Sequence, residues 1–112
     1  MYIEVRLGIE PVRSLAFGSI VAGYTAIGTA LNYPSRMVLL QNWTDANLMF
    51  SRDGIYDHIP LLAGNSLIID ITSNKTKDDG FFLSKGDILY VKRIEVPTSG
   101  IVYITSFYGD RS

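Results

Sequence analysis

The chain has 112 residues, of which 47% are hydrophobic and 19% charged, with a formal net charge of −1 and no cysteine. This length suits one hydrophobic core, and the low charged fraction indicates that part of the surface is covered in an assembly. The small net charge gives no attraction to a phosphate backbone, so we expect no nucleic-acid partner, and the lack of cysteine excludes disulfides and thiolate metal sites.

The first predicted element is a strand over residues 2–7. Ile3, Val5 and Leu7 fall on one side of it and the more polar residues between them on the other, the period of two that a half-buried strand requires. Gly8 and Pro11 end the pattern. We predict an N-terminal strand or arm over residues 1–12, which lies at a sheet edge or pairs with a neighbouring subunit, and a single domain over residues 13–112. The opening residues match no secretory signal, which predicts a product made in the cytoplasm.

Residues 14–35 carry no charge and therefore invite comparison with a membrane span. The apolar part is shorter than the twenty or so residues that a bilayer needs, and glycine, serine and threonine dilute it. We expect no membrane partner. The glycines also disfavour a helix, so residues 13–17 and 20–27 are predicted strands and residues 28–35 a loop.

The central stretch contains the strongest apolar runs, at residues 37–40 and 48–50. Asn42, Thr44, Asp45 and Asn47 separate the two runs with side chains that compete for backbone hydrogen bonds. Two short apolar segments joined by polar residues predict a β-hairpin. A second turn is predicted at residues 51–54, which end in Asp-Gly.

The remaining predicted strands are residues 58–61, 66–72, 88–96 and 101–108. Pro60 cannot donate to a ladder and assigns the first of these to a sheet edge or bulge. Residues 73–80, SNKTKDDG, are the most polar passage and predict an exposed loop. About eight strands, with turn signals every ten residues or so and no helical period, predict an all-β antiparallel sandwich or small barrel.

No group of residues points to catalysis. His58 is the single histidine, and Asp57 beside it would face the opposite side of a strand, so a loop or packing role is expected for this imidazole. The Gly-x-Ser-x-Gly and phosphate-loop patterns are absent. One histidine without cysteine makes no structural zinc site, and the acids lack the spacing of a calcium loop. We predict a protein that is not an enzyme and has no cofactor or metal.

Trp43 lies in the polar segment between the two central runs. An indole exposed there would stack on a sugar ring or anchor a protein partner, and Asp45 and Asn47 nearby favour the carbohydrate alternative. The other possibility is that the ring folds back and covers the core.

Three stretches, residues 37–75, 80–93 and 97–109, resemble small virion proteins of tailed bacteriophages. The resemblance rests on the turn N-x-T-D at residues 42–45, followed by F-S-x-D-G at residues 50–54 and D-H at residues 57–58. It implies a jelly-roll β-sandwich on the capsid surface of a virion, a decoration or cement protein that binds the major capsid protein and staples neighbouring subunits. A tail or head-to-tail joining component is the alternative, and the resemblance carries no catalytic residue.

We expect such a protein to act as a homo-oligomer or as symmetric copies on the shell. The predicted partner contacts lie on the N-terminal arm, on the turn that holds the tryptophan and on or beside the polar loop. They are Tyr2, Glu4, Arg6, Trp43, Lys75, Lys77, Asp78 and Phe81.

Overall fold

The computed structural model describes residues 5–33, 35–70 and 85–111, and the side chains of residues 8–33, 35–70 and 85–108. The strands are β1 (Val5–Ile9), β2 (Arg13–Ala16), β3 (Thr25–Ala26), β4 (Ser35–Asn42), β5 (Leu48–Ser51), β6 (Ile59–Leu61), β7 (Asn65–Asp70), β8 (Tyr90–Arg93) and β9 (Ile101–Arg111). Within the described residues the only helical element is a 3₁₀ turn, Phe17–Ser19. The described part of the chain therefore holds no helix with the length and apolarity that a membrane crossing requires.

Two antiparallel sheets pack against each other. In the first the order is β1-β9-β4-β7, and β2 pairs with β9 beside β1; in the second the order is β3-β8-β5-β6. β1 and β2 follow the same edge of β9 and act as one interrupted strand. Counted in this way, eight strands are distributed between the sheets in the order of a jelly roll. The predicted all-β sandwich of about eight strands is confirmed.

The predicted hairpin of the central stretch is wrong. β4 lies in the first sheet between β9 and β7, whereas β5 lies in the second sheet between β8 and β6. Residues 43–47 form a corner that takes the chain across the sandwich. Val38 and Leu40 on one strand and Leu48 and Phe50 on the other are fully buried in the same core. A hairpin and a corner share the pattern of apolar, polar and apolar segments, and only the packing partners distinguish them.

Two predicted strands are shorter than expected. The segment 20–27 pairs only at Thr25–Ala26, and the segment 88–96 only at Tyr90–Arg93. Ile20 and Ile27 are 3% and 1% exposed, so loop residues fill the core where strand alternation was expected. The edge position expected of residues 58–61 is confirmed, because β6 is the last strand of its sheet. The predicted loop 73–80 lies outside the described residues.

Candidate interaction surface

Four loops meet at one end of the sandwich, and we call this the four-loop end. It comprises residues 17–24, 43–47, 62–64 and 94–100, which connect the strands that leave and enter the two sheets there. Hydrogen bonds join the loops to one another and to β8. Phe17 N donates to Gly100 O at 3.1 Å, Ile94 N to Asn47 O at 3.0 Å, Ala63 N to Asn47 Oδ1 at 3.0 Å, and Arg93 N of β8 to Val21 O at 3.0 Å. Because the loops support one another, this end is a defined surface.

The corner at this end is held by a buried asparagine. Asn42 is fully buried, and its Nδ2 donates to Ala46 O at 3.0 Å and to Leu61 O at 2.9 Å. Its Oδ1 accepts from the backbone N of Thr44 at 3.0 Å and from Thr44 Oγ1 at 2.6 Å. One side chain thus joins the start of the corner, its end and the end of β6. The Asn-x-Thr sequence predicted a turn here. In the structure the Asn42 side chain closes a local turn by accepting from the backbone N of Thr44.

The four-loop end is apolar. Single exposed hydrophobic residues are normal on a soluble protein, but a concentration of them marks an interaction site. Among the described residues thirteen large hydrophobic side chains are exposed, and six of these lie on the four loops. They are Phe17, Val21, Trp43, Leu62, Ile94 and Val96, with exposed fractions from 38% to 64%.

The backbone of Trp43 is hydrogen-bonded to the start of β9, whereas its side chain reaches solvent. Its N donates to Ile101 O at 3.0 Å. The indole is 45% exposed, so it does not serve solely as a cover for the core. Trp43 was predicted from the sequence as a contact residue, and the structure places it among the other exposed apolar residues of the four-loop end.

The only charged residues of the four loops are Asp45 and Glu95. Asp45 accepts hydrogen bonds from the backbone and hydroxyl of Thr98 and from Ser99 N, and the Thr98 bonds lower the pKa of its carboxyl. Glu95 Oε1 accepts from Asn47 N at 3.2 Å. With two carboxylates and no lysine or arginine, these loops would repel a phosphate backbone. They suit an apolar protein surface.

No protein-family model, curated protein or solved structure matches this chain.

The opposite end of the sandwich carries the histidine. His58 Nδ1 accepts from Arg52 N at 3.0 Å, which closes the loop between β5 and β6. Asp57 Oδ1 lies 2.9 Å from Lys92 Nζ and accepts at 2.5 Å from the hydroxyl of Tyr24, the last residue of the loop 17–24, so this contact links the two ends along the second sheet. These contacts give both side chains a part in holding the loop against the second sheet. Burial, followed by the bond to Asp57, raises the pKa of Tyr24.

Asp53 organises the same loop. Its Oδ1 accepts from Ile55 N at 2.9 Å and from Tyr56 N at 3.1 Å, and these two bonds lower the pKa of the carboxyl to about 2. An open depression of about 400 Å³ beside it is lined by Arg52, Asp53, Gly86, Asp87, Ile88 and Tyr90. Within the described part of the chain no three histidine or acidic residues come close enough to hold a metal ion.

The side chains of the other contact residues predicted from the sequence lie outside the described set. Arg6 lies in β1 opposite Asp110, and its side chain is outside the described set. The remaining six, Tyr2, Glu4, Lys75, Lys77, Asp78 and Phe81, lie outside the described residues. Sequence reasoning missed Phe17, Val21, Leu62, Ile94 and Val96. Their only signal is hydrophobicity, which predicts a core position equally well.

Proposed function

We propose that this protein is a structural component of a tailed-bacteriophage particle, a decoration or cement protein that binds the capsid shell and staples neighbouring major capsid subunits. The observation that supports this proposal is the apolar four-loop end of a jelly-roll sandwich. The N-x-T-D turn, on which the resemblance to phage virion proteins rests, forms the corner at this same end.

The chemistry of the four-loop end suits adhesion. Burial of apolar surface contributes roughly 25 cal/mol per Å², and this contribution requires no catalytic group. The two carboxylates of the surface are already hydrogen-bonded within it, so docking does not leave them without partners. Copies repeated by the symmetry of a shell would each add the same contact.

The test uses the purified full chain and empty capsid shells of the phage that encodes it. Co-sedimentation counts bound copies, and scanning calorimetry follows the melting temperature of the shell. We expect the chain to bind and to raise that temperature. Val96→Asp places a charge on the four-loop end, where Val96 is 64% exposed, and should abolish binding.

The matched control is Ile55→Asp. Ile55 is 72% exposed and lies in the loop at the opposite end, so this variant should bind shells as the unmodified chain does. Failure of the unmodified chain to bind, or equal loss in both variants, would contradict the proposal. Binding to isolated tails or connectors but not to shells would support the alternative of a tail or head-to-tail joining component.

A carbohydrate-binding module is the second candidate because the indole of Trp43 is 45% exposed. The polar neighbours that a sugar would need are already engaged: Asp45 accepts from Thr98 and Ser99, and Asn47 Oδ1 accepts from Ala63 N at 3.0 Å. The surface is therefore better suited to a protein. Glycan-array binding that is lost in Trp43→Ala would reverse this preference.

A further inference from the structure

The two sheets end in four edge strands, and these edges differ in their ability to accept another strand. An edge strand presents unpaired N–H and C=O groups, and natural proteins protect it by short length, proline, charge or interruption. Among the described residues, β3 has two residues and β6 has three with Pro60 at its centre. β1 and β2 are separated by a break that contains Pro11. These three edges are protected.

β7 is the unprotected edge. It runs for six residues, Asn65–Asp70, contains no proline, lysine or arginine, and has a strand partner on one side only within the described part of the chain. Its middle is Leu-Ile-Ile. Ile68, opposite Leu39 on the outer face, is 64% exposed.

The core is also open beside β7. Residues opposite each other in an antiparallel pair share a face of the sheet. Leu67 lies opposite Leu40, which is fully buried, so Leu67 points to the inner face of the sandwich. It is nevertheless 38% exposed. The second sheet therefore does not cover the inner face completely at this edge.

We propose that β7 pairs antiparallel with β7 of a second copy of this chain, so that the first sheet continues across a two-fold dimer. A two-fold axis maps each strand onto the other, and the inward side chains of both copies must stay on the same face. An axis at Ile68 satisfies this condition: Ile68 lies opposite its own copy, and Leu67 lies opposite the partner's Ile69.

This register also avoids unfavourable charge pairs. The one charged residue of β7, Asp70, lies opposite the partner's Ser66, so no two like charges face each other across the interface. The inward Leu67 and Ile69 of the two copies cover the open side of both cores. The interface is formed by β7 and not by the residues of the four-loop end, and the dimer does not depend on the proposed capsid role.

Sedimentation equilibrium of the full chain over a range of concentrations tests the dimer. We expect a species of twice the 12.4 kDa monomer mass. Ile68→Lys brings two like charges together at the axis and should raise the dissociation constant at least roughly tenfold, which corresponds to about 1.4 kcal/mol. Ile55→Lys changes an exposed isoleucine of the loop between β5 and β6, outside β7, and should leave the constant unchanged.

The register is tested by charge reversal. Ile68→Glu alone should also dissociate the dimer, and an equimolar mixture of the Ile68→Lys and Ile68→Glu chains should restore it, because opposite charges then meet at the axis. A chain that is monomeric at every concentration overturns the proposal, as does a dimer that neither variant weakens or a mixture that stays monomeric.

Hydrogen exchange of the backbone amides tests the β7 interface in the unmodified chain. Exchange in residues 65–70 should slow as the concentration rises and the dimer forms. A dimer in which this segment exchanges at the monomer rate would place the interface elsewhere and overturn the proposal.

Discussion

Arg13 and Glu10 form an ion pair at 2.8 Å in which the two side chains are only 8% and 1% exposed. The pair lies where β1 passes into β2. Arg13 Nε also donates to Thr29 O at 2.7 Å, and Glu10 Oε2 accepts from Tyr33 N at 3.2 Å. The break in the strand is therefore also the anchor of the loop that leads into β4.

Removal of the carboxylate should destabilise the fold strongly. Glu10→Ala leaves the buried guanidinium without its counter-charge, and the loss of one partner of a buried pair costs about 3–5 kcal/mol. Urea unfolding, followed by the fluorescence of Trp43, the single tryptophan, measures the change. The control is Glu95→Ala, an exposed glutamate with one hydrogen bond, which should cost about 1 kcal/mol or less. Equal losses in the free energy of unfolding of the two variants would contradict this prediction.

Asn42→Asp should destabilise the corner between β4 and β5. The carboxylate cannot donate, so the carbonyls of Ala46 and Leu61 lose their donor and face a buried negative charge. We expect a loss of at least about 3 kcal/mol in the free energy of unfolding. Asn65→Asp, at an exposed asparagine with one bond to Ala63 O, is the matched control and should cost less than about 1 kcal/mol. The prediction is wrong if the two variants have the same urea midpoint.

Gly100→Ala should be poorly tolerated. Gly100 has φ +101°, and a Cβ at this position would lie 2.1 Å from the carbonyl oxygen of Trp43 and 2.6 Å from Thr44 Cα. Both contacts are to backbone, which cannot rotate away, so the expected loss exceeds about 2 kcal/mol. Gly18→Ala meets no atom within 4 Å and should change stability by less than about 1 kcal/mol. Thermal unfolding of the two variants compares them directly.

Protonation of the Asp53 carboxyl should lower the stability of the fold in acid. Its pKa is 3.8 ordinarily and about 2 in the folded chain, so the folded state binds the proton more weakly than the unfolded state. The stabilisation is complete above about pH 4 and disappears as the pH falls to about 2. Asp53→Asn keeps an acceptor for Ile55 N and Tyr56 N but carries no charge. The stability difference between the two proteins should therefore shrink across this window, and parallel pH curves would contradict the assignment.

The sequence by itself determined the fold class and many of the boundaries. Alternation with a period of two defines a strand locally, whichever strand lies beside it, and β9 and most of β7 lie where the alternation predicted them. Proline lacks a donor, so Pro60 indicated an edge strand. The Asp53-Gly54 turn was confirmed, with Gly54 at φ +77°.

Only the tertiary structure decided which strands pair and which apolar residues are buried. Residues 43–47 form a corner because β4 and β5 find different neighbours, and no local pattern records that choice. Val21 and Ile94 are exposed, whereas Ile20 and Ile27 fill the core. All four are valine or isoleucine, so residue type alone does not separate the exposed pair from the buried pair. Burial depends on the second sheet, which covers some positions and leaves others open. For this reason the four-loop end and the free edge of β7 are properties of the folded chain alone.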